Sequence, residues 1–334
     1  MNSTEQTYKT LEEQGLKLRP ARWEDLDAVV NLVLEVCTAD GDPTIAFNAE
    51  DAERFWKSPD YNLATDTWVV ETQTGSLVGY EEFYNRHLHA ALRGDGYVHP
   101  EYRDQGIGTT MLRALEQRAM AEMQLAQSDL RVFIRNGMSI TDSRGCEMHA
   151  NEGYQPIRYS WRMEIDLTAP PPNPEWPEGI TLRPFSLSEH NHAVFEADNE
   201  AFLDHWGSTP LTYELWQHYL TSRKDFDPTL WFIAWDGDQV AGYSLSRYRN
   251  KIGWVGSLGV RWPWRKRGLG LALLYHSFAE FLRRGTSTIG LGVDAANPTG
   301  ATRLYLKAGM SVANEYVIYE KELRAGGEIS LVED

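Results

Sequence analysis

The sequence predicts a mixed α/β protein built twice over, with one sheet-and-helix unit in each half of the chain. Three observations carry that expectation. Four segments recur in the same order, each recurrence alternates strand-like with helix-like patterning, and a proline-rich stretch separates the copies. At 334 residues there is room for two domains of ordinary size.

The repeat begins with LKLRPARWEDLDAVVNLV at residues 16–33, echoed by ITLRPFSLSEHNHAVFEA at 180–197. Each reads as a short strand ending in Leu-Arg-Pro, a polar cap region and an amphipathic helix. TWVVETQTGSLVGYEEF at 67–83 then matches LWFIAWDGDQVAGYSLS at 230–246, two alternating strands about a glycine-containing turn, hence a β-hairpin. Next, GYVHPEYRDQGIGTTMLRAL at 96–115 matches the stretch that opens with SLGVRWPWRKRGLG at 257. Gly106 and Gly108 recur as Gly268 and Gly270 at one constant offset. The runs LRVFIRN and TIGLGVD read as buried strands, each followed by a helix, a glycine (Gly153, Gly309) and further strand.

Between the copies lies TAPPPNPEWPEG, where five prolines in twelve residues exclude helix and central strand. The expected division is therefore 1–167, a stiff linker at 168–178, and 179–334.

Composition narrows the function. Lys and Arg number 32 against 48 Asp and Glu, a formal net charge of −16, which repels nucleic-acid phosphates and anionic membranes but leaves a cationic amine unopposed. Nucleic-acid and membrane partners are not expected. Cys37 and Cys146 are the two cysteines, too few and too far apart for a disulfide framework or a metal site. The first fifteen residues are polar, and no run approaches the roughly 18 apolar residues of a membrane span. A cytoplasmic protein without a metal is expected, and its oligomeric state is not legible.

In each copy a strand runs into a glycine-rich turn that opens a helix. In the second copy Leu271, Leu274, Phe278 and Leu282 form the core-facing stripe of that helix. Gly268 and Gly270 clear side chains from a place where backbone approaches a ligand, and the free amides and dipole of the helix start suit a pyrophosphate. Arg265, Lys266 and Arg267 add positive charge in an acidic chain. A dinucleotide fingerprint would need a third glycine where Met111 and Leu273 stand, so the Rossmann reading is disfavoured.

Strand, then R/Q-x-x-G-x-G/A, then helix resembles motif A of the GNAT acetyltransferase superfamily, and both RDQGIG (103–108) and RKRGLG (265–270) satisfy it. GLGVDAANPTGATRLYLKAGM (290–310) resembles its motif B. The resemblance covers nearly the whole chain, and as a tandem it is similar to the mycothiol synthase-like two-domain members. It implies two tandem GNAT folds, each a splayed mixed sheet flanked by helices, and acetyl-CoA-dependent transfer to a primary amine of a small acceptor.

Carried over residue by residue, the resemblance implies that Leu258, Gly259 and Val260 pair with the pantetheine arm. The amides from Arg265 through Lys266, Arg267, Gly268, Leu269 and Gly270 to Leu271 would hold the pyrophosphate. Asn297 would hydrogen-bond the arm and Tyr305 would protonate the departing thiolate, a role a phenol of pKa near 10 can fill. In the first copy Val98, Arg103, Asp104, Gln105, Gly106, Ile107, Gly108 and Thr109 occupy the cofactor positions. There His149 stands opposite Tyr305 and Thr141 opposite Asn297, so the first unit is expected to hold CoA weakly or only as structure.

The glutamate that mycothiol synthase carries on the strand before motif A aligns here with Trp254, which speaks against that acceptor and leaves the base open. Asp204 and His205, in the stretch NEAFLDHWGSTP, offer a carboxylate and a base at the acceptor wall. Two other readings compete: a non-catalytic acyl-CoA sensor, and a nucleic-acid binder using RWPWRKRG. The first is countered by Tyr305 and the second by the acidic field.

Overall fold

In the computed structural model, residues 11–203, 206, 212–221, 223, 226–297 and 299–328 are described. The first repeat runs β1 (Leu16–Arg19), α1 (Leu26–Ala39), α2 (Ala49–Trp56), α3 (Leu63–Asp66), β2 (Thr67–Thr72), β3 (Leu77–His87), β4 (Ala91–Val98), α4 (Ile107–Glu122), β5 (Val132–Ser139), α5 (Ser143–Asn151) and β6 (Gln155–Asp166). The second follows the same order: β7 (Ile180–Pro184), α6 (Leu187–Phe202), α7 (Tyr213–Thr221), β8 (Trp231–Asp236), β9 (Gln239–Arg249), β10 (Ile252–Val260), α8 (Leu269–Arg283), β11 (Thr288–Asp294), α9 (Ala301–Lys307) and β12 (Ser311–Arg324).

Contacts divide the chain into two units, and most of the last strand of each repeat goes to the other unit. The described part of the first unit is 11–159 with 316–328; the described part of the second is 160–315. In the first, the strand order is β1-β2-β3-β4-β5-β12. β12 runs antiparallel to β5, from Tyr316↔Ser139 to Arg324↔Val132. In the second the order is β7-β8-β9-β10-β11-β6, and β6 runs antiparallel to β11 from Ser160↔Asp294 to Asp166↔Thr288. The division at 168–178 drawn from sequence order therefore differs from the compact units by one strand each. The physical reason is that pairing register between distant strands leaves no local mark in the pattern.

Each unit has one parallel pair, β4 with β5 and β10 with β11, and the other neighbours are antiparallel. The parallel pair exists because a helix, α4 or α8, crosses from one strand to the next. Of the stripe read from the sequence on α8, Leu274 and Phe278 are fully buried, with Phe281, against Val255, Ile289 and Leu291, while Leu271 and Leu282 are half-buried. Burying each such side chain stabilises by about 1.5–3 kcal/mol. The sheet's other face takes α6, where Val194, Ala197 and Ala201 meet Trp231, Ile233 and Tyr243. No helix among the described residues is long and apolar enough to cross a membrane.

Candidate active site

In the second unit β10 is parallel to β11 at only two positions, Gly253↔Ile289 and Trp254↔Gly290, and beyond them it pairs with β9 alone. The two strands splay, so the edge through Leu258, Gly259 and Val260 faces the gap with backbone groups free of β11. A bulge at Gly256 shifts the β9 register between Val255 and Ser257. Its consequence is a change of phase: Val255 points to α8, while Ser257 and Gly259 point to α6, and Leu258 and Val260 point back to the α8 side.

β10 feeds a single 3₁₀ turn, Trp262–Trp264, and then the glycine-rich loop. Two of its residues have left-handed backbone, Lys266 at φ 62° and Gly268 at φ 87°. Lys266 is a strained, non-glycine case, and Asp104 at φ 64° and Gly106 at φ 79° repeat the pair in the first unit. This geometry turns successive N–H groups toward one point, an anion nest at a helix N-terminus. Among the described residues the amides of Lys266, Arg267, Gly268, Leu269 and Gly270 make no backbone hydrogen bond. Those of Arg265 and Leu271 are taken, by Trp262 O at 3.3 Å and Gly268 O at 3.1 Å. The cradle is thus five amides, not the seven the sequence suggested.

Arg265 serves the loop itself. Its Nε donates to Val260 O at 2.9 Å, another nitrogen donates to Ala201 O at 3.3 Å, and its guanidinium lies 4.1 Å from the Trp262 ring centroid. Beneath the turn the Trp264 indole donates to Asp236 at 2.8 Å. Lys266 and Arg267 are exposed at the cradle and carry its positive charge.

A Cβ placed on Gly270 would touch Leu304 at 3.4 Å and Val260 at 3.6 Å, so the helix start, the splayed edge and α9 meet at this glycine. Tyr305, next to Leu304, is 7% exposed, and burial alone pushes its phenol up to about 12. Asn297 precedes α9 in a turn, with its Oδ1 accepting from the Thr299 amide at 2.8 Å. That bond commits the carbonyl and leaves the carboxamide NH₂ as the group a ligand could use. Asp204 and His205 lie outside the described residues.

The sequence reading missed Asp198 on α6. Its Oδ1 accepts from Ser257 Oγ at 2.9 Å and its Oδ2 from the Trp216 indole at 3.1 Å. One signal was available: an isolated glycine, Gly256, inside a strand pattern marks a bulge.

The first unit carries the same frame with other contents. β4 pairs with β5 from Ala91↔Phe133 to Gly94↔Asn136 and then splays, past Gly96 to Val98. No backbone hydrogen bond occupies the amides of Asp104, Gln105, Gly106, Ile107, Gly108 or Thr109 among the described residues. Arg103 pairs with Asp40 at 2.8 Å. A Cβ on Gly108 would meet Met148 at 2.9 Å and Val98 at 3.6 Å, which puts His149 where Tyr305 stands in the second unit. Rather than a surface residue, His149 is 4% exposed between Tyr154 and Tyr319, at centroid distances of 5.1 and 5.6 Å. Its Nδ1 is 2.9 Å from Gly145 O, its Nε2 has no partner among the described residues, and burial lowers its pKa. A neutral, enclosed imidazole is no ready proton donor. Glu82 and Asp95 face each other across β3 and β4, and burial, then Asp95's charge, pushes Glu82 up to about 8.

A family model described as Acetyltransferase (GNAT) family matches residues 191–310, and one described as Acetyltransferase (GNAT) domain matches 64–139. A mycothiol acetyltransferase of Thermobispora bispora is 31% identical over 239 residues, covering 68% of this chain and 75% of that protein. A GCN5-related N-acetyltransferase from Sphaerobacter thermophilus superposes with a TM-score of 0.81 at 36% identity, over 94% of this chain and 98% of that one. The chain belongs to the GNAT acetyltransferase family. A tandem GNAT protein from the clavulanic acid biosynthesis pathway shares its fold, with a TM-score of 0.69 at 17% identity over 93% of this chain. As a GNAT acetyltransferase it draws its acyl group from acetyl-CoA. The nest of five amides fits the cofactor's diphosphate, and the splayed edge of β10 fits its extended amide arm.

Proposed function

We propose that the second unit is the acetyl-transfer centre, acting on a primary amine of a small molecule, and that the first unit is a non-catalytic copy. The observation that carries this reading is the meeting of loop, strand edge and α9 at Gly270, with a protonated phenol, Tyr305, on that helix, against a neutral imidazole, His149, at the matching place of the first unit. Acetyl-CoA, when bound, supplies the activated thioester. Lys266 through Gly270 hold the diphosphate and Leu258 to Val260 fix the arm by strand-like pairing. On bound acetyl-CoA the acceptor, as the neutral amine, would add to the carbonyl carbon as the C–S bond breaks; Tyr305 would give its proton to the sulfur, and the proton lost by the nitrogen would leave to solvent, from which Tyr305 is reloaded. A phenol pushed up to about 12 is fully protonated at neutral pH, so the donor is always loaded.

The relatives named mycothiol acetyltransferase support a small-molecule acceptor. Trp254 is 8% exposed with the Arg249 guanidinium 5.0 Å from its ring centroid. An indole, not a carboxylate, stands where the resemblance to mycothiol synthase puts a glutamate, which supports a different amine. The test is a screen of small primary amines with acetyl-CoA, read by thiol release, with Tyr305→Phe alongside. An acceptor turned over by the wild type and by Tyr305→Phe at equal rates would overturn the assignment.

A further inference from the structure

The Asp198 cluster lies where β10 leaves β11, and nothing assigned so far uses it. Asp198 and Ser257 are half-buried, and Gly256 between Val255 and Ser257 is exposed, so the carboxylate is reached from the open side of the strand. Ser257 arrives there only through the phase change at the bulge; in an unbulged strand it would point to α8. Each Asp198 oxygen accepts one hydrogen bond, from Ser257 and from Trp216, and keeps a further acceptor site.

A third group aims at the same place. Tyr243 on β9 is fully buried, and a Cβ on Gly259 would come within 2.2 Å of its hydroxyl, so the phenol lies flat over β10 at the one residue that permits it. That hydroxyl lies against the Asp198 carboxylate and the Ser257 hydroxyl, where burial and then the Asp198 charge push its pKa up, yet it makes no hydrogen bond of good geometry among the described residues. A buried polar atom without a partner costs stability and calls for a ligand or water. The nearby cations are committed elsewhere: Arg265 to Val260 O and Ala201 O, and Arg261 to Glu200 at 2.6 Å. Asp198 itself has no cationic partner among the described residues. The pieces amount to a negative charge held by two neutral donors, beside an unused hydroxyl oxygen, at the mouth of the splay.

We infer that Asp198 and the Tyr243 hydroxyl receive the ammonium group of the acceptor. An –NH₃⁺ offers three donors, which the free acceptor sites of Asp198 and the phenol oxygen of Tyr243 can take. The neutral donors Ser257 and Trp216 fix the carboxylate without neutralising it, so its charge remains for the ligand. This assignment rests on the second unit being the transfer centre, but its binding step can be measured without turnover.

The experiment uses the full chain with ¹⁵N-labelled tryptophan. The indole N–H of Trp216, identified through Trp216→Phe, reports on Asp198 directly because it is bonded to it. n-Butylammonium is the probe and 1-butanol the uncharged control. The expected result is a saturable shift of the Trp216 indole signal with n-butylammonium and none with 1-butanol. Asp198→Asn should raise the apparent Kd at least tenfold, while acetyl-CoA binding stays within twofold. Tyr243→Phe, which removes only one oxygen, should raise it two- to fivefold and covers the case in which Asp198→Asn does not fold. No saturable shift in the wild type, or an unchanged Kd in both variants, overturns the assignment. Loss of acetyl-CoA binding by the second unit in the wild type would instead overturn the catalytic reading, with the ammonium result left standing.

Discussion

The two glycine-rich loops are near-copies set in different surroundings. Both put a strained non-glycine residue, Asp104 or Lys266, two positions before a left-handed glycine, and both open a helix with unbonded amides. They differ in what stands around them. The second unit meets the loop with a tyrosine, a bulged strand and Asp198 on its first helix. The first meets it with an enclosed histidine, a strand without the bulge, and carboxylates on the strands themselves, Glu82 opposite Asp95 where the second unit has Leu245 opposite Ser257. The loop is a backbone feature and recurs in both units; the side chains beside it do not.

The sharpest break in the comparison is a change of one glycine at a time. Gly268→Val forces a β-branched residue into left-handed backbone and projects methyl groups into the open space over the cradle. Turnover should fall at least about 100-fold, equivalent to about 2.7 kcal/mol of transition-state binding. Gly106→Val in the first unit should leave turnover within twofold. Steady-state rates of the two variants against any acceptor found decide it.

Tyr305→Phe should lower kcat by about 100-fold, within the range of general acid catalysis, and leave the Kd for acetyl-CoA unchanged. His149→Phe should change neither. Because burial holds the Tyr305 phenol near 12, its deprotonation should not limit kcat between pH 7 and 10. An alkaline limb near 10 that disappears in Tyr305→Phe would contradict its enclosed setting.

A stability difference should separate the units as well. Glu82 is raised to about 8 from an ordinary carboxylate value of 4.5. The folded state therefore holds a proton that the unfolded state has released between pH 4.5 and 8. Stability of the first unit should fall as pH rises through that window, by several kcal/mol at an order-of-magnitude reckoning of about 1.4 kcal/mol per unit. Glu82→Gln should raise the first unit's Tm at pH 9 and have little effect at pH 4.5, read by calorimetric scans.

The smallest effect expected is at Arg265. Arg265→Lys loses the forked hold on Val260 O and Ala201 O and the stacking on Trp262, so KM for acetyl-CoA should rise about three- to tenfold with kcat little changed, a loss near 1 kcal/mol.

The sequence showed much of this because the features were local. A strand, a pair of glycines and a helix stripe are written in consecutive residues, and Gly268 and Gly270 lie in such a stretch. What it hid was long-range. The exchange of β6 and β12 depends on which distant edge each strand meets. Asp198 looks like one acid among Glu196 and Glu200 on a polar helix until Ser257 and Trp216 are brought to it. The narrowing of the cradle to five amides depends on two backbone hydrogen bonds that no residue type announces.

The most direct test of a working second unit beside a silent first one is a calorimetric titration of the full chain with acetyl-CoA, in wild type, Gly268→Val and Gly106→Val. The account predicts that the tight site disappears in Gly268→Val and persists, with unchanged enthalpy, in Gly106→Val. Loss of the tight site in Gly106→Val, with Gly268→Val binding as wild type, would place the cofactor in the first unit and contradict it.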